Sequence, residues 1–338
     1  MKIFENPWRG KGLDWDGLDD VPWPSTDAQA VGRLLARCPL DGETPLERLD
    51  KFAGAGVVFV KDERYRMTLG SFKALGAAYV IARDHEEGKA KGRTYVTASA
   101  GNHGLSVTAG AVAFDAKAVI YLSETVPQDF ADRLEMFEAV VVREGATYED
   151  SMAAAQKAAE KNGWYLLSDS SWPGYTDRPY RVMEGYLALA DEVVREMSEP
   201  PTHIYLQAGV GGLAGACAAY FRRKWGNDPR IVVVEPEAAP ALMESVRAGR
   251  AVVTTGPVSN MGRLDCKEPS LIALKGLARD ADAFATIAEA EAEAAMPLLE
   301  EAGLVTSPSG GAGLAALFAG EALGPAARVL CILSEAPE

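Results

Sequence analysis

Four short segments combine small and polar residues in patterns that could do chemistry. The first is Gln207-Ala208-Gly209-Val210-Gly211-Gly212-Leu213-Ala214-Gly215, between an apolar run and an alanine-rich stretch. Glycines at a helix start let backbone N–H groups converge on an anion, so Gly209, Val210, Gly211, Gly212 and Leu213 form a candidate phosphate cradle. The same turn satisfies Gly-x-Gly-x-x-Ala, and Glu235 stands about 20 residues on, where a dinucleotide site wants its acid. The second segment is Ser99-Ala100-Gly101-Asn102-His103-Gly104, a strand-to-helix turn whose open N–H groups suit a carboxylate; the plainer reading makes Asn102 a helix cap. The third is Ser71-Phe72-Lys73, a lysine just inside an otherwise apolar helix face. Such an amine either snorkels to solvent or, partly desolvated, drops its pKa enough to condense with an aldehyde. The fourth is Leu333-Ser334-Glu335, where a hydroxyl at the end of a buried strand can face a crevice or simply meet solvent.

Repeated strand–helix units must position these segments. Short β-branched runs predict strands at 57–60, 93–97, 118–122, 140–142, 164–167, 204–207, 231–234 and 329–333. Between them, helices are expected over 70–82, 102–113, 128–137, 148–161 and 180–197, and from the glycine turn to Trp225. Apolar runs without polar alternation mean strands buried on both faces, hence parallel βαβ architecture with ligands beyond the carboxyl ends of the strands. So many units exceed one sheet, and the expectation is α/β, two parallel-sheet layers with a cleft between them. Residues 1–43, rich in Pro, Trp, Gly and Asp and without sustained periodicity, read as an irregular surface arm suited to a subunit contact.

Composition narrows the function. The 338 residues carry 34 Lys+Arg against 48 Asp+Glu, a net charge of −14, which disfavours nucleic acid and anionic membranes as partners. Four scattered cysteines and three histidines make a metal site improbable and suit free thiols in a reducing cytoplasm. The longest uncharged stretch, 204–221, holds four glycines and Gln207 and fits a strand–turn–helix better than a membrane span. No signal-peptide pattern opens the chain, so a cytoplasmic protein is expected.

Together the four segments resemble, in order along the chain, the anchors of the fold type II (tryptophan synthase β-like) pyridoxal-phosphate enzymes, a group that includes threonine and serine dehydratases. Within it the nearest resemblance is to the diaminopropionate ammonia-lyases. That likeness rests on Lys61-Asp62-Glu63, Ser71-Phe72-Lys73-Ala74-Leu75-Gly76, Asp169-Ser170-Ser171-Trp172-Pro173-Gly174-Tyr175-Thr176, the glycine turn, and Met261-Gly262-Arg263-Leu264-Asp265-Cys266-Lys267-Glu268-Pro269. It covers roughly residues 44–334 and displaces the dinucleotide reading, which leaves three of the four segments unexplained. Two departures stand out. Ala100 occupies the position where those lyases carry an aspartate thought to act on the D-isomer, and Thr306-Ser307-Pro308-Ser309-Gly310-Gly311 lacks the glutamate of many relatives.

The resemblance implies a large cofactor domain of residues 1–82 and 176–338 with a small α/β domain, 83–175, inserted, and a homodimer. It implies pyridoxal 5′-phosphate on Lys73, phosphate on residues 209–213, Asn102 on the ring hydroxyl and Ser334 at the pyridine nitrogen. The substrate carboxylate is expected on Ser99, Ala100, Gly101, Asn102 and His103. Lys73 or Asp169 is expected to act as the base, with Asp169 alternatively binding a second substrate amine or serving only as a cap or salt-bridge partner. The implied reaction is α,β-elimination on a β-substituted L-amino acid to a 2-oxo acid and ammonia. The alternatives are a serine, threonine or 3-hydroxyaspartate dehydratase of the same fold and, from another class, a nicotinamide-dependent dehydrogenase.

Overall fold

The computed structural model describes every residue except Pro39, Asp41 and Glu338, so those parts of the predicted arm and terminal segment lie outside the described residues. Eleven strands are assigned among them. They are β1 (Lys2–Glu5), β2 (Leu46–Asp50), β3 (Ala55–Asp62), β4 (Thr94–Ala98), β5 (Lys117–Leu122), β6 (Val140–Arg143), β7 (Tyr165–Leu166), β8 (His203–Gln207), β9 (Arg230–Pro236), β10 (Ala283–Ile287) and β11 (Gly324–Leu333). The helices are α1 (Ala28–Leu35), α2 (Lys73–Glu86), α3 (Asn102–Ala113), α4 (Gln128–Met136), α5 (Tyr148–Asn162), α6 (Asp177–Gly185) and α7 (Leu187–Glu196), followed by α8 (Gly212–Trp225), α9 (Ala241–Ala248), α10 (Leu271–Asp280), α11 (Glu289–Glu301) and α12 (Ala312–Ala319).

Two sheets form, as expected of an α/β fold. The larger runs β1-β10-β9-β8-β11-β3-β2, and the smaller β6-β5-β4-β7. Every pairing in the small sheet is parallel, and so are the five inner strands of the large one. Only the edge strands β1 and β2 pair antiparallel. The runs Ile231-Val232-Val233-Val234 and Val329-Leu330-Cys331-Ile332-Leu333 are almost wholly buried because helices cover both faces, which is why they lack a polar alternation.

Three expectations need correction. The first 43 residues are not an irregular arm: β1 extends the large sheet, and α1 buries Val31, Leu34 and Leu35. The predicted long helix 180–197 is two helices, α6 and α7, meeting at Tyr186. The reason is packing, since Gly185 lies so close to α2 that a Cβ there would sit 2.5 Å from the Leu75 carbonyl oxygen. The strand expected over 164–167 shrinks to β7, where only Tyr165 and Leu166 pair with Tyr95 and Val96 of β4, and its last ladder bond runs from Leu167 N–H to Val96 O at 2.8 Å.

Beneath the site, β3 is tied to α7 by a buried charge cluster. Lys61 Nζ lies 2.8 Å from Glu192, and Arg66 Nη2 lies 2.8 Å from Glu63 and 2.7 Å from Glu192. Thr44 Oγ1 donates to Glu63 at 2.6 Å. Charges so buried are tolerable only because each is paired and hydrogen-bonded. Among the described residues no helix is long and apolar enough to cross a membrane, and no group of His, Cys, Asp and Glu is placed to hold a metal ion.

Candidate active site

Lys73 is the first residue of α2, and its Nζ is ion-paired with Asp169, which lies 96 residues away in sequence. Burial alone would pull the Lys73 pKa down, but the carboxylate more than offsets it, and the amine sits above the ordinary lysine value. Asp169 mirrors this: burial pushes it up, while Lys73, then His103, draw it below the usual carboxylate range. The expected depressed lysine pKa is therefore not what the arrangement gives; the two groups face each other as ammonium and carboxylate. Against them lies the buried Tyr186, whose ring meets Phe72 edge-on at 4.9 Å and whose hydroxyl is electrostatically coupled to both. Gly76 lets that ring approach, since a Cβ there would stand 2.8 Å from it.

The backbone just after Asp169 is held by serine hydroxyls. Ser170 N–H donates to Ser168 Oγ, and Ser171 N–H donates to Ser270 Oγ at 3.1 Å. Ser171 Oγ in turn lies 2.7 Å from Ser270 Oγ and accepts from Ile272 N–H on α10. Trp172 and Tyr175 stack at 4.2 Å, and the Tyr175 hydroxyl donates back to Leu166 O. The segment Asp169-Ser170-Ser171-Trp172 thus crosses from the end of β7 to the helix layer of the large sheet.

The glycine turn follows β8. Gly211 has φ +96°, and a Cβ there would stand 2.9 Å from both Ala273 and Leu242. A Cβ on Gly209 would meet Cys266 Sγ at 2.9 Å and Arg263 O at 3.1 Å. No side chain caps the start of α8, so its first N–H groups are offered by backbone alone. At Gly212 the nearest atoms to a Cβ are Tyr186 Cε2 at 3.6 Å, Met183 Cγ at 3.7 Å and Asp169 O at 3.9 Å. The cradle therefore opens beside the Lys73–Asp169 pair. An uncapped, glycine-lined helix start next to a lysine is the donor set that a phosphate-bearing aldehyde requires, and these residues fit pyridoxal phosphate.

The second turn closes the opposite side. Gly101, not Asn102, is the N-cap of α3 and makes no side-chain cap. Ser99 Oγ accepts from Gly101 N–H and Gly104 N–H, at 3.3 and 3.1 Å. Asn102 Nδ2 donates to Glu335 Oε2 at 2.7 Å. The His103 ring turns away to Leu167 O at 2.8 Å, and burial lowers its pKa. Arg263 crosses the cleft: its Nη1 donates to Ala100 O at 2.7 Å, while its own N–H donates to Ser309 Oγ. Ser334 is buried at the end of β11, with its N–H on Gly310 O and its O accepting from Phe72 N–H, next to Lys73.

All four predicted segments thus converge on one cleft. Sequence reasoning missed Tyr186, Arg263, Cys266, Tyr148 and Glu335. Cys266, its thiol pushed up to about 12 by burial, couples to Asp169 and Lys73; its signal was membership of the 261–269 run. Tyr148 starts α5 with half its surface exposed, yet its phenol is electrostatically coupled to Asp169 and Cys266, and nothing in the local sequence marks that. Glu335 had only its adjacency to Ser334.

Residues 38–335 match the family described as pyridoxal-phosphate dependent enzyme. The diaminopropionate ammonia-lyase of Salmonella typhimurium is 33% identical over 260 residues, covering 68% of this chain and 64% of that protein. The Escherichia coli diaminopropionate ammonia-lyase is 32% identical over 305 residues, covering 82% of this chain and 77% of that protein. The crystal structure of the E. coli lyase in complex with an aminoacrylate–PLP azomethine reaction intermediate superposes with a TM-score of 0.89 at 28% identity, over 99% of this chain and 93% of that one. On the family match, the fold and the converging residues, this chain belongs to the pyridoxal-phosphate-dependent enzymes.

Proposed function

We propose that the chain is an ammonia-lyase that carries out α,β-elimination on a β-substituted L-amino acid of the diaminopropionate kind, giving a 2-oxo acid and ammonia. The observation that carries this reading is the Lys73–Asp169 pair at the mouth of the uncapped α8 start. The bound cofactor supplies the electron sink that makes the substrate Cα–H acidic. In this reading Lys73 holds the cofactor, and backbone N–H groups of residues 209–213 hold its phosphate. Asn102 serves the ring hydroxyl and Ser334 the pyridine nitrogen. A neutral hydroxyl there keeps the sink weak and favours prompt loss of the β-substituent.

The residues Ser99, Ala100, Gly101, Asn102 and His103 orient the substrate carboxylate at the α3 start. Lys73 Nζ moves the Cα proton, and Asp169 either shares that task or binds the second substrate amine. The absence of an acid at Ala100 favours the L-isomer, and also favours a second reading of the same site, dehydration of serine, threonine or 3-hydroxyaspartate. In domain terms, residues 83–175 form the small inserted unit, and residues 1–82 and 176–338 the large one. Four free cysteines support a reducing cytoplasm as the working compartment, and the working form is a homodimer acting on a small amino acid.

The test incubates the cofactor-loaded protein with L- and D-diaminopropionate, serine, threonine and 3-hydroxyaspartate, reading ammonia and 2-oxo acid. Diaminopropionate carries two nitrogens and releases two ammonia per pyruvate, serine only one, so the ratio separates the two readings. Turnover of L-diaminopropionate, abolished together with the visible cofactor absorbance in Lys73→Ala, is the expected outcome. No turnover of any of these amino acids would refute both readings.

A further inference from the structure

The side chain of Glu335 is buried, yet its two carboxylate oxygens are both engaged by donors from separate parts of the cleft. Oε2 accepts from Asn102 Nδ2 at 2.7 Å, at the start of α3, and Oε1 accepts from Ser307 Oγ. The direction of the second bond is fixed from behind, because Ser307 Oγ itself accepts from Gly310 N–H at 3.0 Å, leaving its proton for Glu335. The backbone of Glu335 is pinned as well. Its carbonyl accepts from Thr306 Oγ1 at 2.6 Å, and the residue bridges Ser71, two positions before Lys73. Gly310 leaves no slack: a Cβ there would stand 2.2 Å from Thr306 Oγ1 and 2.9 Å from Glu335 Cγ.

We infer that Glu335 is a positioning residue that locks the Asn102 amide in one of its two orientations and thereby sets how the ring hydroxyl of the cofactor ionises. An ionised carboxylate is acceptor-only, so it faces the NH2 end of the amide and rejects the oxygen end. With one N–H spent on Glu335, the amide cannot rotate by half a turn without setting its own oxygen against a carboxylate oxygen. The remaining N–H is then held as a donor for an oxyanion, and the nearby negative charge makes the fixed bond the stronger, charge-assisted kind. A carboxamide at 335 lacks this selectivity, since it can either donate or accept. This inference rests on the assignment of Asn102 to the ring hydroxyl in the proposed function.

The test is a double-mutant cycle on the purified protein, with Glu335→Gln, Asn102→Ala and both together. Each form is stripped of cofactor and titrated with pyridoxal phosphate, and the pH midpoint of the visible band is recorded for each loaded form. Glu335→Gln is expected to weaken cofactor binding by about tenfold, the scale of one hydrogen bond to a charged group. It should also raise the band's pH midpoint. In the Asn102→Ala background the same change should have almost no further effect, because its route through the amide is gone. Glu335→Asp, which keeps the charge, should recover part of the loss, and it carries the cycle if the Gln protein does not fold. A Glu335→Gln protein that melts earlier but keeps the wild-type affinity and midpoint would show a structural role only and overturn the inference. So would an undiminished effect in the Asn102→Ala background. If Asn102→Ala itself leaves both readouts unchanged, the inference falls together with the assignment of Asn102; if only Glu335→Gln is silent, the inference falls alone.

Discussion

Replacing Asp169 by Asn asks the most of the proposed chemistry, because the change keeps the shape and removes only the charge that faces Lys73. The two side chains are 15% and 23% exposed, so the pair is little screened by solvent. If Asp169 moves a proton, its loss should lower kcat on every substrate by about 10²–10⁴-fold, the usual contribution of a positioned acid or base. If it instead binds a second substrate amine, the loss is one charge-assisted hydrogen bond of about 1.5–3 kcal/mol. That corresponds to a rise of roughly 10- to 150-fold in KM, confined to diaminopropionate and absent for serine. The lysine gives an independent readout. With the carboxylate gone, the burial that already opposes the ammonium loses its largest counterweight, and the Lys73 pKa should fall. The variant should then take up pyridoxal phosphate faster at neutral pH, measured as growth of visible absorbance after mixing. Steady-state kinetics on diaminopropionate and serine, with the loading rate beside them, separates the cases. Unchanged turnover on every accepted substrate would refute both roles for Asp169.

Two other perturbations test the frame. Gly211→Ala forces a side chain into a left-handed backbone, at a cost of about 1–2 kcal/mol, with its Cβ in collision with Ala273 and Leu242. Cofactor titration and a thermal melt should both show weakening, and wild-type affinity would refute the cradle. Glu235 accepts from Leu242 N–H and Met243 N–H at the start of α9, while burial pushes its pKa from 4.5 up to about 8. Its folded form therefore prefers the proton: the stability it lends is full below about pH 4.5 and is lost as the pH rises through about 8. Glu235→Gln should flatten the fall of Tm between those pH values, and a slope equal to that of the wild type would refute the shift.

The parallel strands were legible because burial on both faces writes itself as an unbroken apolar run, as in Ile231-Val232-Val233-Val234 and Ala118-Val119-Ile120-Tyr121-Leu122. Edge strands leave no such mark. β1, Lys-Ile-Phe-Glu, is mostly exposed, and β2, Leu-Glu-Arg-Leu-Asp, carries three charges in five residues. β10, Ala-Phe-Ala-Thr-Ile, is fully buried but half alanine-like in pattern, so it blends into the helical stretches around it. The site was readable where chemistry needs backbone, in the two small-residue turns. Long-range pairing left no local trace: Lys73 to Asp169, which only the resemblance had put in one site, Arg263 to Ala100 and Asn102 to Glu335 join segments 96, 163 and 233 residues apart. Local periodicity carries no term for such distances.

The place of β11 in the large sheet bears on how the protein is made. Synthesis delivers this strand after β3 and β8, the two neighbours between which it lies. Until then those strands have no partner on their inner sides, and the sheet exists as two fragments with raw edges exposed to other nascent chains. Insertion of β11 joins the fragments, with β3 paired to it across more than 260 residues of chain, so closure is a late and slow event. The same stretch brings in Ser334 and Glu335. Completion of the sheet and delivery of Ser334 and Glu335 to the side of Lys73 are therefore one step.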